Sequence, residues 1–105
     1  MIVTIVENSW LARVAAWKMG TDSVAMVLGS KIHLCNCTKQ QFLQNKKWVR
    51  HEIAHVHQWK QYGRLRFLIL YCWESFNKGY YYNKFEVEAR SKENDQQMMQ
   101  GITIL

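Results

Sequence analysis

The chain has 105 residues, of which 49% are hydrophobic and 21% charged. That length holds one domain around one core, and the composition excludes a disordered or collagen-like chain. The net charge of +6 would suit an anionic partner, but the 14 lysines and arginines are scattered without a block of like charges, so nucleic-acid binding is not expected.

In chain order, the β-branched residues 1–6 predict a strand. Asn8 or Ser9 can cap a helix carrying Trp10, Leu11, Val14, Ala15 and Met19 at helical spacing, and Gly20 ends it, which completes a segment over 1–23. Val24–Leu28 and Lys31–Cys35 flank Gly29-Ser30, the signal of a hairpin with a type II′ turn within 24–37. Thr38 opens a long central helix over 39–62, broken by Gly63. A second, apolar helix over 65–77 follows, then a turn at Asn77-Lys78-Gly79 and a polar helix over 84–99. Gly101 precedes an extended apolar tail over 100–105. The fold class expected is α+β, mainly helical, with a small hairpin sheet.

The longest apolar run, Phe67–Trp73, is far below the ~20 residues of a membrane span. Cys35, Cys37 and Cys72 are odd in number and contain no CxxC, so reduced and mostly buried thiols are expected. The N-terminal residues lack the basic and long apolar regions of a signal peptide, and a cytoplasmic location is the expectation.

One motif carries chemistry. His51-Glu52-Ile53-Ala54-His55 is an HExxH within the central helix. Residues i and i+4 lie on one helical face about 6 Å apart along the axis, so two imidazoles can reach one ion at ~2.0–2.1 Å. Glu52, one step round the helix, can take a proton from a water that zinc acidifies. At 100° per residue, Trp48, Trp59 and Tyr62 fall near the two histidines, while Val49, Ile53 and Val56 form an adjoining core stripe. His57 falls on the opposite side with Arg50 and Gln61 and is read as a surface residue.

A catalytic zinc site needs a third protein ligand. Glu86, Glu74 and Glu88 are the candidates downstream, and Glu93 reads as solvated. Glu74 lies in the apolar helix, nineteen residues after His55. Glu86 opens Glu86-Val87-Glu88-Ala89-Arg90, where the small Ala89 would let two helices approach.

With His51-Glu52-Ile53-Ala54-His55-Val56 followed by Glu86-x-x-Ala89, the chain resembles the gluzincin metallopeptidases over about residues 24–92. It is most similar to minimal soluble catalytic domains that resemble the cores of CAAX-prenyl and HtpX-like peptidases. It is also similar to HExxH domains found beside bacterial secreted toxins. The resemblance implies a zincin-like fold, one catalytic Zn²⁺, Glu86 as third ligand and an extended peptide or protein as substrate. It departs at Arg90, where the family has an aspartate that supports a histidine ligand. It also implies that the strand Lys31–Cys35 is the cleft edge that pairs with substrate, and that the tail 102–105 covers the cleft in a latent form or joins a sheet edge. Tyr80, Tyr81 or Tyr82 would assist an oxyanion, if any does. The function expected is a zinc peptidase with Glu52 as general base. The alternative is a zinc-binding regulatory module of the same fold without general peptidase activity.

Overall fold

A computed structural model describes residues 1–105. Strand β1 (Ile2–Val6) leads into helix α1 (Trp10–Met19). Ser9 caps α1 by accepting from the Ala12 amide at 3.4 Å, and Gly20 closes it in the left-handed region (φ 68, ψ 32) that a side chain would disfavour. Strands β2 (Val24–Leu28) and β3 (Lys31–Cys35) form the expected hairpin. Gly29 takes φ 64 and is the turn's single left-handed residue, as a type II′ turn requires at its first central position.

The central helix differs from the expectation over 39–62. It is two helices, α2 (Lys39–Gln44) and α3 (Lys46–Tyr62). Thr38 and Gln41 form a capping box on α2. Asn45 (φ −91, ψ 89) then leaves helical geometry, and its Oδ1 accepts from the Trp48 amide at 3.2 Å, so it ends one helix and caps the next. Helix α4 (Arg64–Tyr82) is longer than predicted, with Gly79 (φ 79, ψ 168) as a non-helical break inside it. The expected helix over 84–99 is a short α5 (Lys84–Ser91) followed by a separate 3₁₀ turn, Gln96–Met99. Strand β4 is Thr103–Ile104.

The sheet is four-stranded and mixed, in the order β2-β3-β1-β4, so the domain is α+β and mainly helical. β1 runs parallel to β3 and to β4, and β2 is antiparallel to β3. Alternation along the strands separates two apolar faces. Val3, Val27, Ile32 and Leu34 meet Phe42 of α2 and Val49, Ile53 and Val56 of α3, which is the predicted core stripe. The other face sets Val24 and Cys35 against Ala12 and Ala16 of α1. Leu65, Ile69, Trp73 and Phe76 of α4 are exposed instead. No helix is long and apolar enough to cross a membrane. Of the three cysteines only Cys35 is buried, and Cys72 is exposed on α4.

This topology revises one expectation and decides between the alternatives of another. β3 lies between β2 and β1, so both its edges are already paired, and the free edge of the hairpin belongs to β2. The tail joins the opposite edge of the sheet rather than covering a cleft. Thr103 N donates to Met1 O, Leu105 N to Val3 O and Ile5 N to Leu105 O, each at 2.9 Å. Deleting residues 102–105 is therefore expected to lower the unfolding free energy by about 1–3 kcal/mol in a urea titration, from lost edge hydrogen bonds and packing. Metal affinity should stay within about twofold, and a large change in it would contradict the separation of tail and cleft.

Candidate metal centre

His51 and His55 stand one turn apart on α3, with ring centroids 5.0 Å apart. Glu86 reaches them from the first turn of α5, where the helix N-terminus favours a carboxylate. Fully buried Asn83 sets the position of that turn. Its Oδ1 accepts from Phe85 N at 2.9 Å, and its Nδ2 donates to Tyr71 O at 3.0 Å and to Ser75 Oγ at 2.8 Å, tying α5 to α4. Ala89, one turn on, is fully buried, consistent with a close approach of α5 to its neighbours.

His51 Nε2 lies 3.0 Å from Glu86 Oε1, and His55 Nε2 lies 3.1 Å from Glu86 Oε2. One ligand atom from each of the three residues can be chosen so that all lie within 4.8 Å of one another. Ligands held tetrahedrally at ~2.0–2.1 Å are about 3.3 Å apart, so each histidine-to-Glu86 distance is near such an edge, while the set of three would have to draw in somewhat from its 4.8 Å limit.

The outer nitrogens decide what the inner ones can do. His51 Nδ1 donates to Glu93 Oε2 at 2.8 Å, since a carboxylate can only accept. His55 Nδ1 meets Gln58 Oε1 at 2.8 Å. The Gln58 amide is oriented by its Nε2, which donates to Phe85 O at 3.0 Å and to Glu88 Oε1 at 2.7 Å, so its oxygen faces the imidazole. Both histidines thus carry a proton on Nδ1 and turn Nε2 toward Glu86. A bare Nε2 lone pair against a carboxylate oxygen is repulsive, so each contact needs a proton or a shared cation. One divalent ion carries the charge of the two protons it would displace. The donor set, its tautomers and its burial fit a metal, and the group of His51, His55 and Glu86 can hold one.

The titration behaviour reflects the same arrangement. Burial opposes a charged His51, but hydrogen bonds to Glu86 and Glu93 and the charge of Glu52 outweigh it and raise its pKa to about 9. His55 is raised for the same reasons, with burial opposed chiefly by its bond to Glu86. Burial would raise Glu86, yet the two histidines hold it well below the usual carboxylate range. Glu52 is pushed up to about 7, mainly by burial, with the two imidazoles pulling against it. Tyr71 donates to Glu86 Oε2 at 2.5 Å, and burial together with the charge of Glu86 keeps its phenol protonated.

The other candidates have different places. Glu74 accepts from the Lys84 amide at 3.0 Å and lies 3.4 Å from Lys78 Nζ, so it caps α5 away from the centre. Glu88 orients Gln58. His57 is partly buried rather than fully exposed and lies outside the group. Glu93, expected to be solvated, is the partner of His51, and its carbonyl accepts from Arg50 at 2.9 Å. Arg90 takes no part in supporting a histidine. Its guanidinium donates to the Tyr81 carbonyl and stacks over the Tyr81 ring at 4.1 Å. Gln58 and Tyr71 were not singled out by the sequence, because outer hydrogen-bond partners keep no fixed spacing from a motif.

The centre forms one wall of a cleft of ≈ 1210 Å³, bounded by β2, α3 and α4. His51, Glu52, His55 and Glu86 line it, as do Tyr71 and Tyr80. Tyr81 and Tyr82 are exposed outside it. Comparison with protein-family models, with curated proteins and with solved structures gives no match. The functional reading therefore stands on the site's chemistry.

Glu93→Ala is expected to weaken zinc binding about 10-fold to 100-fold in competition with a chromophoric chelator, whereas Glu74→Ala should leave it unchanged. A second expectation concerns pH. Protonated His51 stabilises the chelated protein fully below its ordinary 6.5, and that stability is lost as pH rises through about 9. The contribution of Glu86 has the opposite sense, being present above 4.5 and lost as pH falls toward its depressed value. Thermal melts in a chelator should therefore fall between pH 6.5 and 9. Zinc should widen its advantage over the chelator across the same interval, and parallel curves would contradict this account.

Proposed function

We propose that the protein is a zinc-dependent peptidase of the gluzincin type with a zincin-like fold. Glu52 carries the proposal. Only 5% exposed, it makes no hydrogen bond within the protein, yet it lines the cleft beside a two-histidine, one-glutamate group. Although the residue is largely buried, its unbonded oxygens open to the cleft rather than being sealed within protein, and its environment suits proton transfer near neutral pH.

His51, His55 and Glu86 would hold the zinc. Bound there, zinc supplies the Lewis acidity that makes water nucleophilic near pH 7. Glu52, with a pKa of about 7, takes the proton of the attacking water and returns it to the leaving amine. Glu93 and Gln58 hold the imidazoles in the tautomer that ligation requires. Tyr71 fixes the Glu86 carboxylate, and Tyr80 is the one of the three consecutive tyrosines placed to donate a hydrogen bond to substrate in the cleft.

An extended peptide would add to the free edge of β2. The two-residue turn makes Leu28 and Lys31 a hydrogen-bonded pair, so by alternation the backbone groups of Ala25 and Val27 point away from β3. The free thiols accord with a reducing compartment, and the cytoplasm is the location proposed.

Glu52→Ala is expected to retain one zinc per chain while cleavage of a denatured protein falls at least about 10²-fold. Cleavage that persists in this variant would overturn the role of Glu52. Failure of the wild type to bind zinc would overturn the proposal itself.

A further inference from the structure

The cleft differs in chemistry on the two sides of the metal centre. Along α3, Asn45, Lys47 and Trp48 line it before His51, and Trp59 lines it after His55. Trp59 packs at a tilt against Phe67 with centroids 5.0 Å apart, and Phe67, Leu68 and Leu28 continue the apolar lining. Leu68 opens onto the exposed apolar face of α4, so this end continues outward as apolar surface.

A side chain built on Gly29, just after β2, would meet Arg64 at 3.8 Å, which places the Leu28 end of the strand beside the end of α3 and the start of α4. The Val24 end is continuous with Thr21 and Ser23, which line the cleft together with Lys18 of α1. The two lysines of the cleft, Lys18 and Lys47, thus lie toward the β2 start, where both are exposed. Of the carboxylates lining the cleft, Glu86 is engaged by His51 and His55 and Glu93 by His51, and Glu52 lies beside both histidines rather than at the lysine end.

We propose that the cleft selects an extended peptide with apolar side chains on the N-terminal side of the cleaved bond and carboxylate side chains on the C-terminal side. This specificity rests on the peptidase reading above. The direction follows from strand addition, because an antiparallel pair is the more stable per residue. A peptide antiparallel to β2 begins at Leu28, beside Trp59, Phe67 and Leu68, and ends at Val24, beside Lys18 and Lys47. Desolvation at the first end selects apolar groups, and two exposed ammonium groups at the second select carboxylates in a salt-dependent way.

The test uses the zinc-loaded full chain and three eight-residue peptides sharing one central pair of residues. One carries Leu and Phe before the bond and Glu after it, the second has these halves exchanged, and the third replaces Glu by Lys. Affinity is read by fluorescence anisotropy on Glu52→Gln, and cleavage on the wild type. The first peptide should bind at least about tenfold more tightly than either of the others, with the margin over the lysine peptide shrinking in 0.5 M salt, where the screening length falls to roughly 4 Å. Lys18→Glu combined with Lys47→Glu, both at exposed positions, should reverse the preference to the lysine peptide. Leu68→Asp should remove most of the preference for the apolar half. Equal affinities with Glu52-dependent cleavage intact would overturn the selectivity and leave the peptidase reading standing. Tighter binding of the exchanged peptide would overturn the direction. The predicted preference without cleavage would uphold recognition and defeat the catalytic reading, and neither binding nor cleavage would defeat both.

Discussion

A single carboxylate, Glu86, sits 3% exposed between two imidazoles, and the placement of α3, α4 and α5 depends on it. Removing water from such a group is expensive, and breaking one member of a buried ionic cluster leaves an uncompensated charge. Each element around the centre supplies a partner that prevents this. α3 gives the two histidines, α4 gives the Tyr71 hydroxyl, and the segment after α5 gives Glu93 to the far side of His51. Asn83 binds the start of α5 to α4, so the angle at which Glu86 enters is fixed by hydrogen bonds rather than by packing alone. The apolar core lies on the other side of α3, through Val49, Ile53 and Val56. One helix therefore divides the molecule into a dry sheet-facing side and a polar, charged side.

The open edge of β2 follows from the sheet's order. With β1 inserted beside β3 and the tail beside β1, three of the four strands are accounted for on the sides away from the metal centre. An unprotected edge ordinarily invites pairing with another chain. Here it borders the cleft with His51 and Glu52, so the pairing tendency falls beside the group that can hold a metal. Position in the sheet rather than composition leaves β2 at the edge, so both strands of the hairpin were legible in the sequence while which of them would be the outer one was not.

Elements set by local chemistry could be read directly. Ser9 and Gly20 bound α1, Gly29 makes the turn, and the period of α3 separates its core stripe from its histidines. The clustering of His51, His55 and Glu86 was readable too, since HExxH is a local pattern and Glu86 with Ala89 has a steric logic. What escaped was non-local or ambiguous. Asn45 lies within an otherwise helical pattern, and its capping of α3 became visible only in its backbone angles. Glu93 lies 42 residues from His51, and Tyr71 lies 15 from Glu86, and no sequence spacing encodes either contact. The departure at Arg90 is resolved by the same long-range chemistry. The resemblance assigns an aspartate there to support a histidine, but in this chain Glu93 and Gln58 support the two histidines and Arg90 is free to hold the Tyr81 backbone.

The contrast between Glu52 and its neighbours bears on whether the metal group is structural or catalytic. A structural zinc site closes around its ion, with every polar group engaged. Glu86, Glu88 and Glu93 behave in that way, each accepting at least one hydrogen bond from a side chain of the centre or its supports. Glu52 does not; burial, helped by the charges of Glu86 and Glu93, raises its affinity for a proton while the histidines oppose the rise. Its carboxyl is left facing the cleft, held near half-protonation at neutral pH, beside a strand edge with unpaired backbone groups. No side chain hydrogen-bonds it, and only the charges of the two histidines offset the cost of its burial. On the proposal made above, this is the carboxyl left free to exchange a proton with a group that enters the cleft.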